Sequence, residues 1–551
     1  MRLKRLGTLF AAAGLAATTV PLLSATQASA DPAEAYRPQR PPAWHRCSDD
    51  QPAAYECATV KVPLDYQRPR GRTIDLAVSR IKSENPDRRH GVLLLNPGGP
   101  GGAGLDLPLM MHEAMPKEVR DRYDLIGFDP RGVGASSPIS CGLSEAEQNF
   151  DRPYRPETHR SDVAWARTVT DKCRAKAGAV LPHITTRNTA RDMDAIRAVL
   201  GERKISYLGY SYGTYLGAVY TQMFPHRTDR FVLDSGVDPQ RIWRGMIQVW
   251  ATEAEPAFAR WTRWTAERDG EFHLGNTPQA VSGTFWGLVA RADREPIDYA
   301  GQKLTGDDIR AGRGIFFYPE TAARAVADLK AAAEGRPGTL PVPDLLRTPA
   351  PKPASAAASA VAPGTASGPV PGPAPTPVQG PASGPAPDNG MAVFWAVVCG
   401  DTGAWPRSPE QYARDAARDK KKYPLYGDFA SNITPCAFWQ RPVEPATPMK
   451  TAAPVLTVQN EWDSQTPLVS GQGLHRALKG SRMVLAAGGE GHGVYLVDPA
   501  SCANAPVNTY LATGRLPAAD VTCRTTPGAD RREGLLTPEA QRFPVAGSSR
   551  F

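Results

Sequence analysis

At 551 residues and a formal net charge of +8, the chain is only mildly basic for its length, and its 64 Lys and Arg are interspersed with 56 Asp and Glu. That is the pattern of a solvated surface, and it excludes the concentrated positive footprint of a nucleic-acid-binding protein. The eight cysteines contain no C-x-x-C spacing and the histidines no H-x-x-x-H, so a zinc site is excluded too, and no metal or cofactor is expected.

Residues 1–30 follow the plan of a signal peptide. Arg2, Lys4 and Arg5 precede an apolar run from Leu6 to Leu23, and Ala28-Ser29-Ala30 supplies the small residues that a signal peptidase needs. Cleavage after Ala30 leaves no further run long enough to span a bilayer, so a secreted, extracellular protein is expected. Cys47, Cys57, Cys141, Cys173, Cys399, Cys436, Cys502 and Cys523 all follow this leader. An even number of cysteines in an exported chain predicts disulfides. Neighbours in sequence close the shortest loops, which pairs Cys47 with Cys57, Cys141 with Cys173, Cys399 with Cys436, and Cys502 with Cys523.

From 31 to 239 short apolar runs alternate with helical patterns, the mark of an α/β core built on a mainly parallel sheet with helices on both faces. Strands are predicted at 74–81, 92–96, 123–128, 205–209 and 230–233. Residues 240–347 are rich in Trp, Ala and charged residues at helical spacing and predict a helical cap. Residues 348–388 are almost entirely Pro, Ala, Ser, Gly and Thr, a composition that cannot bury a core and reads as a linker. The remainder, 389–551, returns to the core through strands at 455–459 and 483–486, so the insertion splits one domain.

The strongest chemical signal is Gly209-Tyr210-Ser211-Tyr212-Gly213, lying between a strand-like run and a helical one. A G-x-S-x-G motif in that setting predicts the nucleophile elbow of an α/β-hydrolase fold, with Ser211 exposed on a turn too tight for flanking side chains. A serine hydroxyl needs a base, and the base needs a carboxylate to fix its tautomer. In this fold they follow in the order serine, acid, histidine. His492, in the glycine-rich stretch after the strand at 483–486, is the predicted base, because His475 lies in a helical, surface-like context. Asp463, just beyond the strand at 455–459, is the predicted acid, with Glu461 and Asp238 as rivals. The oxyanion of an acyl-transfer reaction needs two N–H donors. Tyr212 supplies one, and Gly99 in the loop Asn96-Pro97-Gly98-Gly99-Pro100-Gly101-Gly102 is expected to supply the other. Asp129-Pro130-Arg131-Gly132 after another strand is expected to brace the site.

Together with Gly491-His492-Gly493, Thr466-Pro467 and Cys399-Gly400-Asp401, these motifs resemble the secreted tripeptidyl aminopeptidases of actinomycetes, in the prolyl-iminopeptidase-like branch of the α/β-hydrolases. The resemblance spans nearly all of the chain after the leader. It implies release of short peptides, typically tripeptides, from free N-termini through an acyl-enzyme, with peptides as partners and neither nucleic acid nor membrane. Asn96 stands where prolyl iminopeptidases carry His in their H-G-G-P-G motif, which favours the tripeptidyl subgroup. Two other readings stand beside this one. A small-molecule esterase or amidase could use the same triad, since a fold does not fix a substrate, and a hydrolase-fold binding protein would have lost catalysis. An exopeptidase also needs a carboxylate in the cap for the substrate ammonium, and Glu271 and Glu320 are among the candidates.

Overall fold

The computed structural model describes residues 41–338 and 385–525. The expected leader and all but the end of the expected linker lie outside them. Ten strands form one sheet: β1 (His45–Arg46), β2 (Tyr55–Pro63), β3 (Thr73–Ile81), β4 (Gly91–Asn96), β5 (Tyr123–Phe128), β6 (Ile205–Tyr210) and β7 (Thr228–Asp234) precede the insertion. A separate hairpin, β8 (Ile297–Tyr299) and β9 (Gln302–Leu304), lies within the insertion, and β10 (Val455–Trp462), β11 (Arg482–Glu490) and β12 (Val521–Arg524) complete the sheet. The spatial order is β1-β2-β3-β5-β4-β6-β7-β10-β11-β12. β1, β2, β3 and β5 pair antiparallel in turn, and every pairing from β5 onward to β12 is parallel.

Alternation along the central strands feeds two cores. Val92, Leu94, Ile205, Tyr207, Phe231 and Leu233 belong to one cluster, and Leu93, Leu95, Leu208, Tyr210 and Val232 to the other. Successive side chains of a strand point to opposite faces, so the sheet is covered on both. The second cluster is closed by Leu107 and Met111 of α1 (Leu107–Ala114) and by Val507 and Leu511 of the helix Asn504–Thr513. The first is closed by α2 (Thr186–Val199), α3 (Tyr212–Met223) and the cap. All six residues of β4 and of β6 are buried, and burying each large aliphatic side chain contributes about 2 kcal/mol.

The insertion holds α4 (Arg244–Ala266), α5 (Pro278–Arg294) and α6 (Pro319–Ala333), packed through Phe258, Trp261, Phe285 and Phe316. The sequence predicts a helical cap, but the insertion is not wholly helical, because β8 and β9 form a hairpin that turns on Ala300 and Gly301, both at positive φ. Two successive positive φ values make the tight turn that matches strand twist. The helical layer also resumes after residue 388. In α7 (Pro409–Lys422), Asp415 pairs with Arg244 at 2.8 Å, and beyond it Asp428 accepts both terminal nitrogens of the buried Arg310 at 2.9 Å. The chain therefore packs again on the cap before it reaches β10.

The structure joins all eight cysteines in the four pairs formed by sequence neighbours, Cys47–Cys57, Cys141–Cys173, Cys399–Cys436 and Cys502–Cys523. Among the described residues no helix is long and apolar enough to cross a membrane.

Candidate active site

β6 ends at Tyr210 and α3 begins at Tyr212, so the chain reverses on Ser211 alone. That residue adopts φ 56° and ψ −123°, a conformation that costs a non-glycine residue of order 1–3 kcal/mol and persists only where its surroundings enforce it. Here the Ser211 N–H donates to the Asp234 carbonyl at 2.9 Å, and the Ser211 carbonyl accepts from the Thr214 N–H at 2.9 Å. The flanking glycines follow from close approach. A Cβ on Gly209 would sit 2.5 Å from the Tyr207 hydroxyl, and one on Gly213 would sit 2.7 Å from Asn96 Oδ1.

Asp463 follows β10 directly and is fully buried. Its carboxylate accepts from the N–H of Gln465 at 2.8 Å, from the N–H of Thr466 at 2.9 Å and from the Thr466 hydroxyl at 2.8 Å. Both of its oxygens also lie 3.0 Å from His492 Nδ1. Burial opposes the charge, yet His492 and the two N–H donors hold this carboxyl below the usual carboxylate range. His492 Nε2 is buried and has no hydrogen-bond partner among the described residues. The structure thus joins Asp463 to His492 and leaves Ser211 outside hydrogen-bond contact with the imidazole, as is common for catalytic pairs without substrate.

The rivals are engaged elsewhere. Glu461 accepts from the Gly488 N–H at 2.7 Å, and Asp238 accepts from the Gln240 N–H at 2.9 Å and faces Arg241 at 3.3 Å. His475 is held by Ser481 at 2.7 Å and Asp520 at 3.1 Å.

The loop after β4 lies over the elbow, since a Cβ on Gly98 would come within 2.9 Å of the Ser211 Cβ and 3.2 Å of the Tyr212 nitrogen. The Gly98 N–H is committed to Asn96 Oδ1 at 3.1 Å and that of Gly102 to the Gly98 carbonyl at 3.2 Å. The N–H groups of Gly99 and Tyr212 have no acceptor among the described residues, so both are free to bind a developing oxyanion. Asp129 ties this region together by accepting from the N–H groups of Gly104, Leu105 and Ala135. Arg131 is a buried strut, with two nitrogens on Asp192 at 2.7 and 2.6 Å.

Two buried carboxylates to which the motif reading gave no role also border the elbow. Asp401 accepts from the Thr186 N–H at 2.8 Å, from the Thr186 hydroxyl at 2.5 Å and from Trp243 Nε1 at 3.2 Å, and burial pushes its carboxyl up to about 6. Thr186 in turn lies 2.9 Å from the Tyr212 hydroxyl. Asp234, at the end of β7, accepts from the N–H groups of Val494 and Tyr495, just beyond His492. Their partners come from remote parts of the chain, and only the Asp-Ser-Gly run after an apolar strand could have drawn attention to Asp234.

The cap candidates for the ammonium are not suitable. Glu271 and Glu320 are more than half exposed and both pair with Arg324 on the surface. Helical spacing placed them in the cap without saying which face they occupy. The cap face that meets the site belongs to α4, where Trp250 Nε1 donates to the Gln465 carbonyl at 2.7 Å and Arg260 pairs with Glu490.

Comparison with known proteins places the chain in a family. The alpha/beta hydrolase fold family matches residues 91–325, and the TAP-like protein family matches residues 423–523. A tripeptidyl aminopeptidase of Streptomyces lividans is 36% identical over 509 residues, covering 87% of this chain and 86% of that one. The chain belongs to the tripeptidyl aminopeptidase family of α/β-hydrolases. Serine protease Hip1 of Mycobacterium tuberculosis is 38% identical over 211 residues, which are 36% of this chain and 40% of that protein. A carboxylesterase B of M. tuberculosis is 29% identical over 540 residues, 93% of this chain and 95% of its own. The family is one of serine hydrolases, and this chain has its fold across both matched segments.

Proposed function

We propose that the protein is a secreted exopeptidase that releases short peptides, chiefly tripeptides, from free N-termini by acyl transfer through Ser211. The observation that carries the reading is the buried Asp463–His492 pair, which leaves Nε2 as the one imidazole nitrogen without a partner. Ser211 Oγ attacks the scissile carbonyl while its proton passes to His492 Nε2. Asp463 holds the Nδ1 proton and stabilises the imidazolium. The Gly99 and Tyr212 N–H groups receive the oxyanion. Collapse of the tetrahedral intermediate sends the proton to the leaving amine, and a water deprotonated by His492 then frees the peptide acid. Near-full-length similarity to a tripeptidyl aminopeptidase supports the choice of peptide substrates, and the four disulfides are compatible with secretion.

Glu253 on α4 is the carboxylate best placed for the substrate ammonium. It lies three residues after Trp250 and seven before Arg260, on the helix face that bears both contacts to the catalytic turns. It is half-buried, burial raises its carboxyl, and it has no salt bridge among the described residues. The deciding assay compares a chromogenic tripeptide with its N-acetylated form and with a simple ester. Fast turnover of the free tripeptide alone is expected. Equal rates on the free and acetylated forms would remove the exopeptidase reading, and ester turnover alone would make the protein an esterase, the activity named for its 29% identical relative.

A further inference from the structure

Asp234 is wholly buried and has no role in the acyl transfer just described. It nevertheless touches both halves of the machinery. Its backbone carbonyl accepts from the Ser211 N–H at 2.9 Å. Its carboxylate accepts from the Tyr495 N–H at 2.7 Å, from the Val494 N–H at 3.1 and 3.2 Å and from the Ser235 hydroxyl at 3.0 Å. The Ser235 oxygen in turn accepts from the Gly493 N–H at 2.9 Å, so three consecutive amides after His492 are gathered onto Asp234 and its neighbour.

We propose that Asp234 is a positioning residue that locks the His492 loop to the nucleophile elbow and supplies a second negative charge to the imidazolium formed during catalysis. The inference rests on the roles given above to Ser211 and His492. Among the described residues no Lys or Arg pairs with Asp234. The titratable groups that bear on it are His492, on the loop after β11, and Tyr210 on β6. β10 places the uncharged Val458 opposite it, and the elbow presents only backbone. A buried carboxylate without a cation is costly, and burial pushes this one up to about 7, against the pull of Tyr495, Ser235, Val494 and His492. When His492 takes the Ser211 proton, the new cation is held by Asp463 and attracts the Asp234 carboxylate through the loop that both share, so the charge that was unfavourable in the resting site becomes favourable.

Asp234→Asn keeps the shape of the side chain and can still accept from the Tyr495 N–H through its one oxygen, while it removes the charge and the acceptor facing the Ser235 hydroxyl. With the charge gone the imidazolium is less stable, so the acid limb of kcat/KM should move to lower pH, while kcat falls about tenfold and KM stays within about twofold. Ser235→Ala, which removes two contacts, to Asp234 and to the Gly493 N–H, and leaves the charge, should keep the acid limb where it is. A brace with no electrostatic role would give the same limb in Asp234→Asn as in the parent, and that result overturns the proposal. A reading independent of turnover comes from the Asp234 carboxyl resonance of the intact protein followed by 13C NMR. It is expected to titrate at higher pH in His492→Gln than in the parent, because the pull of His492 on the carboxylate is lost. Equal midpoints overturn the coupling even if Asp234→Asn does not fold. Fluorophosphonate labelling of the parent protein tests Ser211 separately, so failure of the nucleophile assignment is distinguishable from failure of this one.

Discussion

The Nδ1 proton of His492 faces two oxygens of a single carboxylate, each at 3.0 Å. Losing that partner costs catalysis about 10⁴-fold in triads of this kind, because the wrong tautomer then faces the nucleophile. Asp463→Asn is therefore expected to lower kcat by that order, with Glu461→Gln and Asp238→Asn near the parent rate, all measured on one tripeptide substrate. An inactive Asp238→Asn would relocate the acid. Glu253→Gln is expected to raise KM about tenfold for the free tripeptide and to leave the acetylated form unchanged, since only the ammonium loses its counter-charge. Ser211, Asp463 and His492 were legible because the G-x-S-x-G turn and the strand ends are local patterns. The involvement of Asp234 was not, because its carboxylate binds backbone amides that carry no side-chain signature.

At the scale of elements, the strands that could be read from sequence include β4 and β6, buried on both faces with continuous apolar runs, and β3, whose buried residues largely alternate. β2 escaped notice although Ala58, Val60 and Val62 alternate inward with Thr59 and Lys61 outward, because Glu56 falls on the inward face and Pro63 closes the run. β1 and β12 are edge strands of two and four residues, too short to carry a period. The cap was legible as helical, but its faces were not, which is why Glu271 and Glu320 fell on solvent. Its attachment depends on the buried Arg310–Asp428 pair, whose removal from one side leaves a carboxylate in a low-dielectric site with only Lys420 at 3.0 Å to answer it. Arg310→Ala is expected to destabilise the protein by about 3 kcal/mol, seen as a lower midpoint in denaturant unfolding. An unchanged midpoint would mean that the cap does not unfold with the core.

Across the whole molecule, each disulfide closes a loop of between 10 and 37 residues, and each is expected to contribute about 2–4 kcal/mol by restricting the unfolded chain. Two of them lie before residue 338 and two after residue 385, so none links the part of the chain that carries Ser211 to the part that carries Asp463 and His492. Apart from the polypeptide backbone, what joins the two parts is non-covalent: β7 pairs with β10 in the sheet, and the cap contacts reinforce it. A single protease cut between 338 and 385 is expected to leave activity and native-gel mobility intact while giving two bands on a denaturing gel run without reductant. One band there would reveal a covalent link between the parts. The same arrangement makes the protein a ready-made split enzyme: two separately produced fragments, one with a nucleophile and no base, the other with a base and nothing to activate, would be inert apart and regain hydrolysis on mixing.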